Sequence, residues 1–326
     1  MRTPPVTPTP GADVLEAVLS ATLRRLRGPA ARLERWTTDQ RFTEHGKRRV
    51  VRYDLQVQVT GAAEHHQWLG KVYDRDEDGR RVAGVLRDVA AGDCGARGAL
   101  AVPRVLAYHP SHRLLLMTYE PGESVSLAIA HDTAAVLAAM GRALSALHSS
   151  PVAVDGVLSP VAVLADLRPR LSELAARLPT EAAALRRALA ALEETVPAAP
   201  ATPRFVHGDF GPANLLWRAD AGELVVLDFD KCARGDPAAD LGNLLAQLRR
   251  MTVRKPDKLR DFVAARGAVL EAYRRWSPPD PQLDDRVAWY ERATLLRKIH
   301  RVALAAPNTP ESEATRLLRV CESHAA

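Results

Sequence analysis

Cysteine is scarce, lysine is scarce and long apolar runs are missing, and each shortage removes a class of function. The 326 residues include three cysteines. Cys94, Cys232 and Cys321 lie far apart, odd in number and without C-x-x-C spacing, which argues against a disulfide framework and a zinc site and points to a reducing cytoplasm. No stretch approaches the roughly 18 apolar residues that a membrane span needs. MRTPPVTPTPG has one Arg and no apolar segment to follow it, so a flexible Pro-rich tail over 1–12 is expected and not a signal peptide. Lysine supplies six of the 45 basic residues, and the arginines are interspersed with acids. The net charge of +6 therefore reads as compositional bias and not as a stripe for nucleic acid.

What is present suits a globular chain with room for two lobes: 47% hydrophobic and 26% charged residues. The informative stretch is His207 to Asp230, HGDFGPANLLWRADAGELVVLDFD. FVHGD begins apolar and ends in a loop, LLWR is a short apolar run, ADAGE supplies a turn, and LVVLDFD reads as a strand ending in carboxylates. The pattern places Asp209, Asn214 and Asp228 at the ends of paired strands. A carboxylate to accept a hydroxyl proton, and an amide oxygen with a second carboxylate to hold Mg2+ against nucleotide phosphates, form the set that phosphoryl transfer needs. Magnesium takes oxygen ligands and keeps several waters, so one amide and one carboxylate suffice.

HGDxxxxN, a hydrophobic strand ending in DFD and then GDPAADL at 235 to 241 together resemble the aminoglycoside phosphotransferase family, which shares its fold with protein kinases. The resemblance implies an α+β, bilobal kinase-like fold: a small antiparallel sheet lobe over 13–120 that covers ATP, and a mainly helical lobe over 121–326 that holds the acceptor. Lys71 falls where the family has its strand lysine, and a lysine in an apolar strand is costly unless an anion meets it. Met117, Thr118 and Glu120, in MTYEPG, match the adenine-binding hinge. Asp209 is the implied base, Asn214 and Asp228 the metal ligands, and Asp230 and Asp240 supporting residues. His207 is expected to pin the loop through backbone hydrogen bonds. Gly211 stands where protein kinases carry a lysine, which points to a small-molecule hydroxyl acceptor.

Two features depart from kinases. Residues 37–50 contain only Gly46 and no G-x-G-x-x-G loop, and the helix expected over 79–91 has no glutamate to pair with Lys71. The missing glutamate motivates an alternative reading, a catalytically weak nucleotide-binding regulator of the same fold.

Elsewhere, helices are expected over 13–27, 132–148, 161–178, 181–195, 258–276 and 283–302, with Asp132 an N-cap, His148 near a C-terminus and Asp236-Pro237 opening the helix that follows the catalytic block. GESVS at 122 to 126 nearly spells a nucleophile elbow, but a chain break and not a strand is expected before it. His109 and His112 read as a solvated turn. From Arg249 to Arg301 there are 14 Lys or Arg against 7 Asp or Glu, a surplus of +7 that favours a neutral or anionic sugar-like acceptor over a polycation, unless Asp280, Asp284, Asp285 and Glu291 form a local acidic pocket.

Overall fold

A computed structural model describes residues 11–39, 49–92, 100–198, 202–305 and 312–322. The tail over 1–10, most of the glycine-poor segment 37–50, part of the Pro-rich connection before Arg204, and Cys94 lie outside these residues. The chain divides into two compact units, Met1–Ala91 with Val102–Pro121, and Gly92–Ala101 with Gly122–Ala326.

The first unit is a five-stranded antiparallel sheet with two helices. Its strands are β1 (Arg32–Asp39), β2 (Arg49–Val59), β3 (Ala62–Val72), β5 (Val105–His109) and β6 (Leu114–Thr118), in the order β1-β2-β3-β6-β5; β4 (Leu100–Ala101) belongs to the second unit. Strict alternation explains β2: Val51, Tyr53, Leu55, Val57 and Val59 are buried. The hairpin into β3 turns at Thr60 (φ 47) and Gly61 (φ 87), the paired positive angles that match strand twist. Helix α1 (Ala12–Arg27) lays Leu15, Val18, Leu19 and Leu23 into the same core, while Val14 and Leu26, expected on that face, are exposed.

Lys71 lies on β3, the central strand, between Val50 and Leu115 and only 8% exposed. Its Nζ stands 5.4 Å from the Tyr73 ring centre, so a wet edge-strand lysine is excluded. Helix α2 spans Asp76–Ala91 and starts three residues earlier than expected, because Asp76, Glu77 and Asp78 favour the positive end of the helix dipole. The helix therefore does contain a glutamate. Glu77 pairs with Arg75, and Asp76 accepts from Arg80 Nε at 2.6 Å and from Tyr108 Oη at 2.8 Å.

The second unit is mainly helical: α3 (Val125–Ala128), α4 (Thr133–His148), α5 (Pro160–Arg177), α6 (Ala182–Glu194), α7 (Pro237–Arg254), α8 (Phe262–Arg274), α9 (Leu283–Ala305) and α10 (Glu313–Glu322). Its remaining strands are β7 (Glu123–Ser124), β8 (Val157–Leu158), β9 (Arg204–Val206), β10 (Leu215–Arg218), β11 (Glu223–Val226) and β12 (Ala233–Gly235). They form two sheets, β4-β11-β10-β7 and β8-β12-β9. Some expectations change here. The strand before Asp228 stops at Val226, and β9 pairs with β12 and not with β10 or β11, so Asp209 hangs from a different sheet than Asn214 and Asp228. As expected, no strand directly precedes GESVS: residues 119–122 are irregular, and Glu123–Ser124, a short strand paired with β10, begins inside the motif. Asp132 stands at the N-cap but accepts from Trp217 Nε1 at 2.9 Å in place of capping α4. In α8, Val263 and the trailing Trp276 are exposed at 78% and 63%, outside the expected core face.

Leu55 is fully buried in the first unit's core. Leu55→Ala should lower stability by about 2–5 kcal/mol in denaturant unfolding, through lost transfer energy and the cavity left behind. A loss well below 1 kcal/mol would show that this core collapses around the gap.

Candidate active site

The loop after β9 is fixed by one buried carboxylate. Asp240, fully buried in the first turn of α7, accepts from the His207 amide at 2.6 Å and the Gly208 amide at 2.8 Å. His148 Nε2 reaches the same carboxylate at 3.2 Å, and His148 Nδ1 meets the Tyr273 hydroxyl at 3.1 Å. The β9 loop, α4 and α7 thus meet on one charge, and α8 joins through the contact of Tyr273 with His148. Burial alone would raise the Asp240 carboxyl, but the hydrogen bond and charge of His148, with His207, outweigh it and hold the group below the ordinary value of 3.8. Burial pushes the Tyr273 hydroxyl up to about 12, so it stays a donor. Sequence reasoning saw in His148 only a helix-end charge; its one signal was a histidine on an otherwise apolar face.

His207 is fully buried between Phe210 and Phe229, with ring centres 5.9 and 4.8 Å away. Nε2 lies 2.9 Å from the Leu227 carbonyl, while Nδ1 lies 3.2 Å from the Asp209 amide. The neutral ring with its proton on Nε2 satisfies both contacts, donating to Leu227 and accepting from Asp209. With both nitrogens engaged by backbone, the ring is a brace between the Asp209 loop and the end of β11. Gly208 takes φ 77, and an added Cβ would stand 2.2 Å from the Lys231 carbonyl, so only glycine fits this turn.

Asp209 is half-buried, with Oδ2 2.6 Å from Lys231 Nζ. Burial raises its carboxyl, yet the hydrogen bond and charge of Lys231, with the charge of Lys298, hold it below the ordinary carboxylate value. Asn214 Nδ2 donates to the Asp209 carbonyl at 3.0 Å, and the Leu227 amide donates to the Asn214 carbonyl at 2.9 Å. Asn243 Nδ2 holds the Phe210 carbonyl at 2.8 Å. Asp228 is exposed one residue on, in a left-handed conformation with φ 61, and Asp230 is buried in the short 3-10 turn that follows. Backbone strain of this kind in a non-glycine residue costs of order 1–3 kcal/mol and gathers at functional sites. The structure thus links Asp209 to Asn214 directly, and both to the Asp228 segment through Leu227 and His207.

Lys71, Met117, Thr118 and Glu120 belong to the first unit. Met117 is buried in β6, the Thr118 amide donates to the Arg104 carbonyl at 2.9 Å, and the Thr118 hydroxyl contacts the Glu120 carboxylate.

Lys231 and Lys298 were not anticipated from sequence, although they are two of only six lysines. Lys298, half-buried on α9, makes no hydrogen bond or ion pair among the described residues, and burial pushes its ammonium down to about 8, against the pull of Asp209 and with the push of Arg301, Arg297 and Lys231.

The family model described as a phosphotransferase enzyme family, APH, matches residues 54–279. The chain belongs to this phosphotransferase family. The crystal structure of aminoglycoside phosphotransferase APH(4)-Ia is similar, at 16% identity, TM-score 0.62 and coverage of 96% of this chain and 98% of that one. Macrolide 2'-phosphotransferase MphH from Brachybacterium faecium aligns at 20% identity and TM-score 0.53, over 92% and 98% of the two chains. Aminoglycoside phosphotransferase APH(3'')-Id from Streptomyces rimosus aligns at 21% identity and TM-score 0.51, over 86% and 98%. These likenesses show the fold, an α+β kinase-like one. A thermostable mutant of APH(4)-Ia has been crystallised as a ternary complex with ADP and hygromycin B. No curated protein matches this phosphotransferase by sequence.

Because the folded Asp240 carboxyl is depressed, its charge contributes stability that is present above the ordinary carboxylate value of 3.8 and lost as pH falls through the lower folded value. Asp240→Asn should therefore melt below the wild type at neutral pH, with the gap closing as pH drops under about 4. A gap that is constant with pH would deny the carboxylate its charged role.

Proposed function

We propose that this phosphotransferase moves the γ-phosphoryl group of ATP to a hydroxyl of a small, sugar-like or aminoglycoside-like molecule, with Asp209 as the base. The observation that carries the reading is the fixed placement of the Asp209 carboxylate. Its loop is tied at both ends, by Asp240 and by the His207 and Asn214 contacts. Lys231 engages Oδ2, which leaves Oδ1 to accept a hydrogen bond from an acceptor hydroxyl. A carboxylate held below its usual value is a weak base. It orients the hydroxyl and receives the proton late, as the oxygen's new bond to phosphorus forms, an effect worth roughly 10²–10⁴ in rate.

The residues fit a magnesium ion in chemistry. Asn214 directs its amide nitrogen to the Asp209 carbonyl, which leaves Oδ1 as the end for a cation, and Asp228 presents a carboxylate at the exposed end of its segment. These are hard oxygen donors of the type magnesium takes, and we assign both as its ligands. When bound, the ion would neutralise charge on the nucleotide phosphates. His207 and Asp240 hold the loop, and Asp230 supports the Asp228 segment from its buried position. In the first unit we assign Lys71 to the α and β phosphates, Met117 to the adenine pocket, and the backbone of Thr118 and Glu120 to the base edge. Among the described residues no helix is long and apolar enough to cross a membrane.

The test is ADP release from Mg-ATP across sugars, aminoglycosides and amino alcohols. At least one acceptor should stimulate release, and Asp209→Asn should lower kcat by about 10²-fold or more while the melting temperature stays close to that of wild type. Unchanged turnover in Asp209→Asn would remove the base. A rise in melting temperature with ATP but no ADP from any acceptor would instead favour the nucleotide-binding regulator.

A further inference from the structure

Basic groups of its own unit pull the Asp209 carboxyl down. Lys231 approaches from the turn after Asp228, and Lys298 acts on Asp209 from α9 with Arg297 and Arg301 beside it. Lys231 is 63% exposed at its side chain and can leave Asp209 for another anion. A half-buried ammonium without a direct partner is costly, and the neighbouring guanidinium groups raise that cost. Arg297 also lines a cavity of about 40 Å³ that it shares with Gly208, Thr294, Asn243 and Tyr290. The Tyr290 hydroxyl and the Asn243 Oδ1 are buried and have no hydrogen-bond partner among the described residues. This space holds a water or one small polar group and not a whole sugar.

Three of the four acids proposed for cation recognition are already occupied, and the fourth, Asp285, is exposed. Glu291 pairs with Arg249 at 2.6 Å, Asp280 with Arg286 at 2.6 Å and Asp284 with Arg274 at 2.5 Å. Asp166 on the cavity wall pairs with Arg170 at 2.8 Å. A polycation brought to Asp209 meets Lys231 and Lys298, while Glu291, Asp280, Asp284 and Asp166 are already neutralised by arginines.

We infer that Lys298, Arg297 and Lys231 form an anion-recognising subsite beside Asp209, so that the acceptor hydroxyl belongs to a molecule that also carries a carboxylate or phosphate ester. Resting on the phosphotransfer reading above, the inference narrows its acceptor class. Lys298 and Arg297 select the substrate by charge, while Asp209 handles the hydroxyl.

Inorganic sulfate is the probe for the subsite, titrated calorimetrically into the full chain at an ionic strength held constant with chloride. Wild type and Lys298→Arg should show one saturable site of similar affinity. Lys298→Met should bind about tenfold more weakly or worse, and Arg297→Met/Lys298→Met not at all. Should Lys298→Met fail to fold by its melting curve, Arg301→Met at an exposed position carries the same test, with a loss of about twofold to threefold expected. No saturable site, or equal affinity in all variants, overturns the inference. Sulfate binding needs neither nucleotide nor turnover, so a failure of phosphotransfer leaves these isotherms intact. A matched acceptor set, D-gluconate, D-glucitol 6-phosphate, D-glucitol and D-glucamine, then separates carboxylate from phosphate as the preferred anion. The better anionic member should exceed D-glucamine in kcat/KM by about tenfold or more, and a preference for D-glucamine overturns the inference.

Discussion

The second unit depends on a buried negative charge that is fully coordinated. Removing a carboxylate from water costs several kcal/mol, and only charge-assisted hydrogen bonds in good geometry offset it. Asp240 collects the His207 and Gly208 amides and the His148 ring, which fixes the backbone just before Asp209. Its demand for donors explains why a histidine from α4 is buried against it, with a tyrosine from α8 on that histidine's other ring nitrogen. From there a second relay runs through the His207 ring to Leu227, next to Asp228, and through Asn214 back to Asp209. Two small sheets carry the groups, and hydrogen bonds, not a shared ladder, hold them together.

Much of this was readable in sequence where period and chemistry coincide. The helices expected over 13–27, 132–148 and 161–178 and the HGDxxxxN spacing each have a local cause, and local causes survive folding. The role of Asp240 entered only through family resemblance, since position in a first helical turn says nothing of what arrives from elsewhere. Strand partners were less accessible: β9 joins β12 across an intervening hairpin, a choice that strand composition does not encode. The early start of α2 was missed because three acids read as turn chemistry, although they equally suit a helix N-terminus.

The electrostatics divided in the same way. The surplus of basic residues between Arg249 and Arg301 was countable, but which arginines neutralise acids and which residues face Asp209 are matters of packing. Rarity was the overlooked clue. In an arginine-rich chain with six lysines, Lys71, Lys231 and Lys298 all stand at positions the proposed chemistry uses.

The claim that Asp240 fixes the Asp209 loop is tested most directly by amide hydrogen exchange at His207 and Gly208. In wild type these two amides should be among the slowest of the loop, and Asp240→Asn should speed both by roughly 10–100-fold, the scale of one hydrogen bond to a charged group. Equal exchange in the two proteins would contradict the account, since the loop would then owe its conformation to something other than this carboxylate.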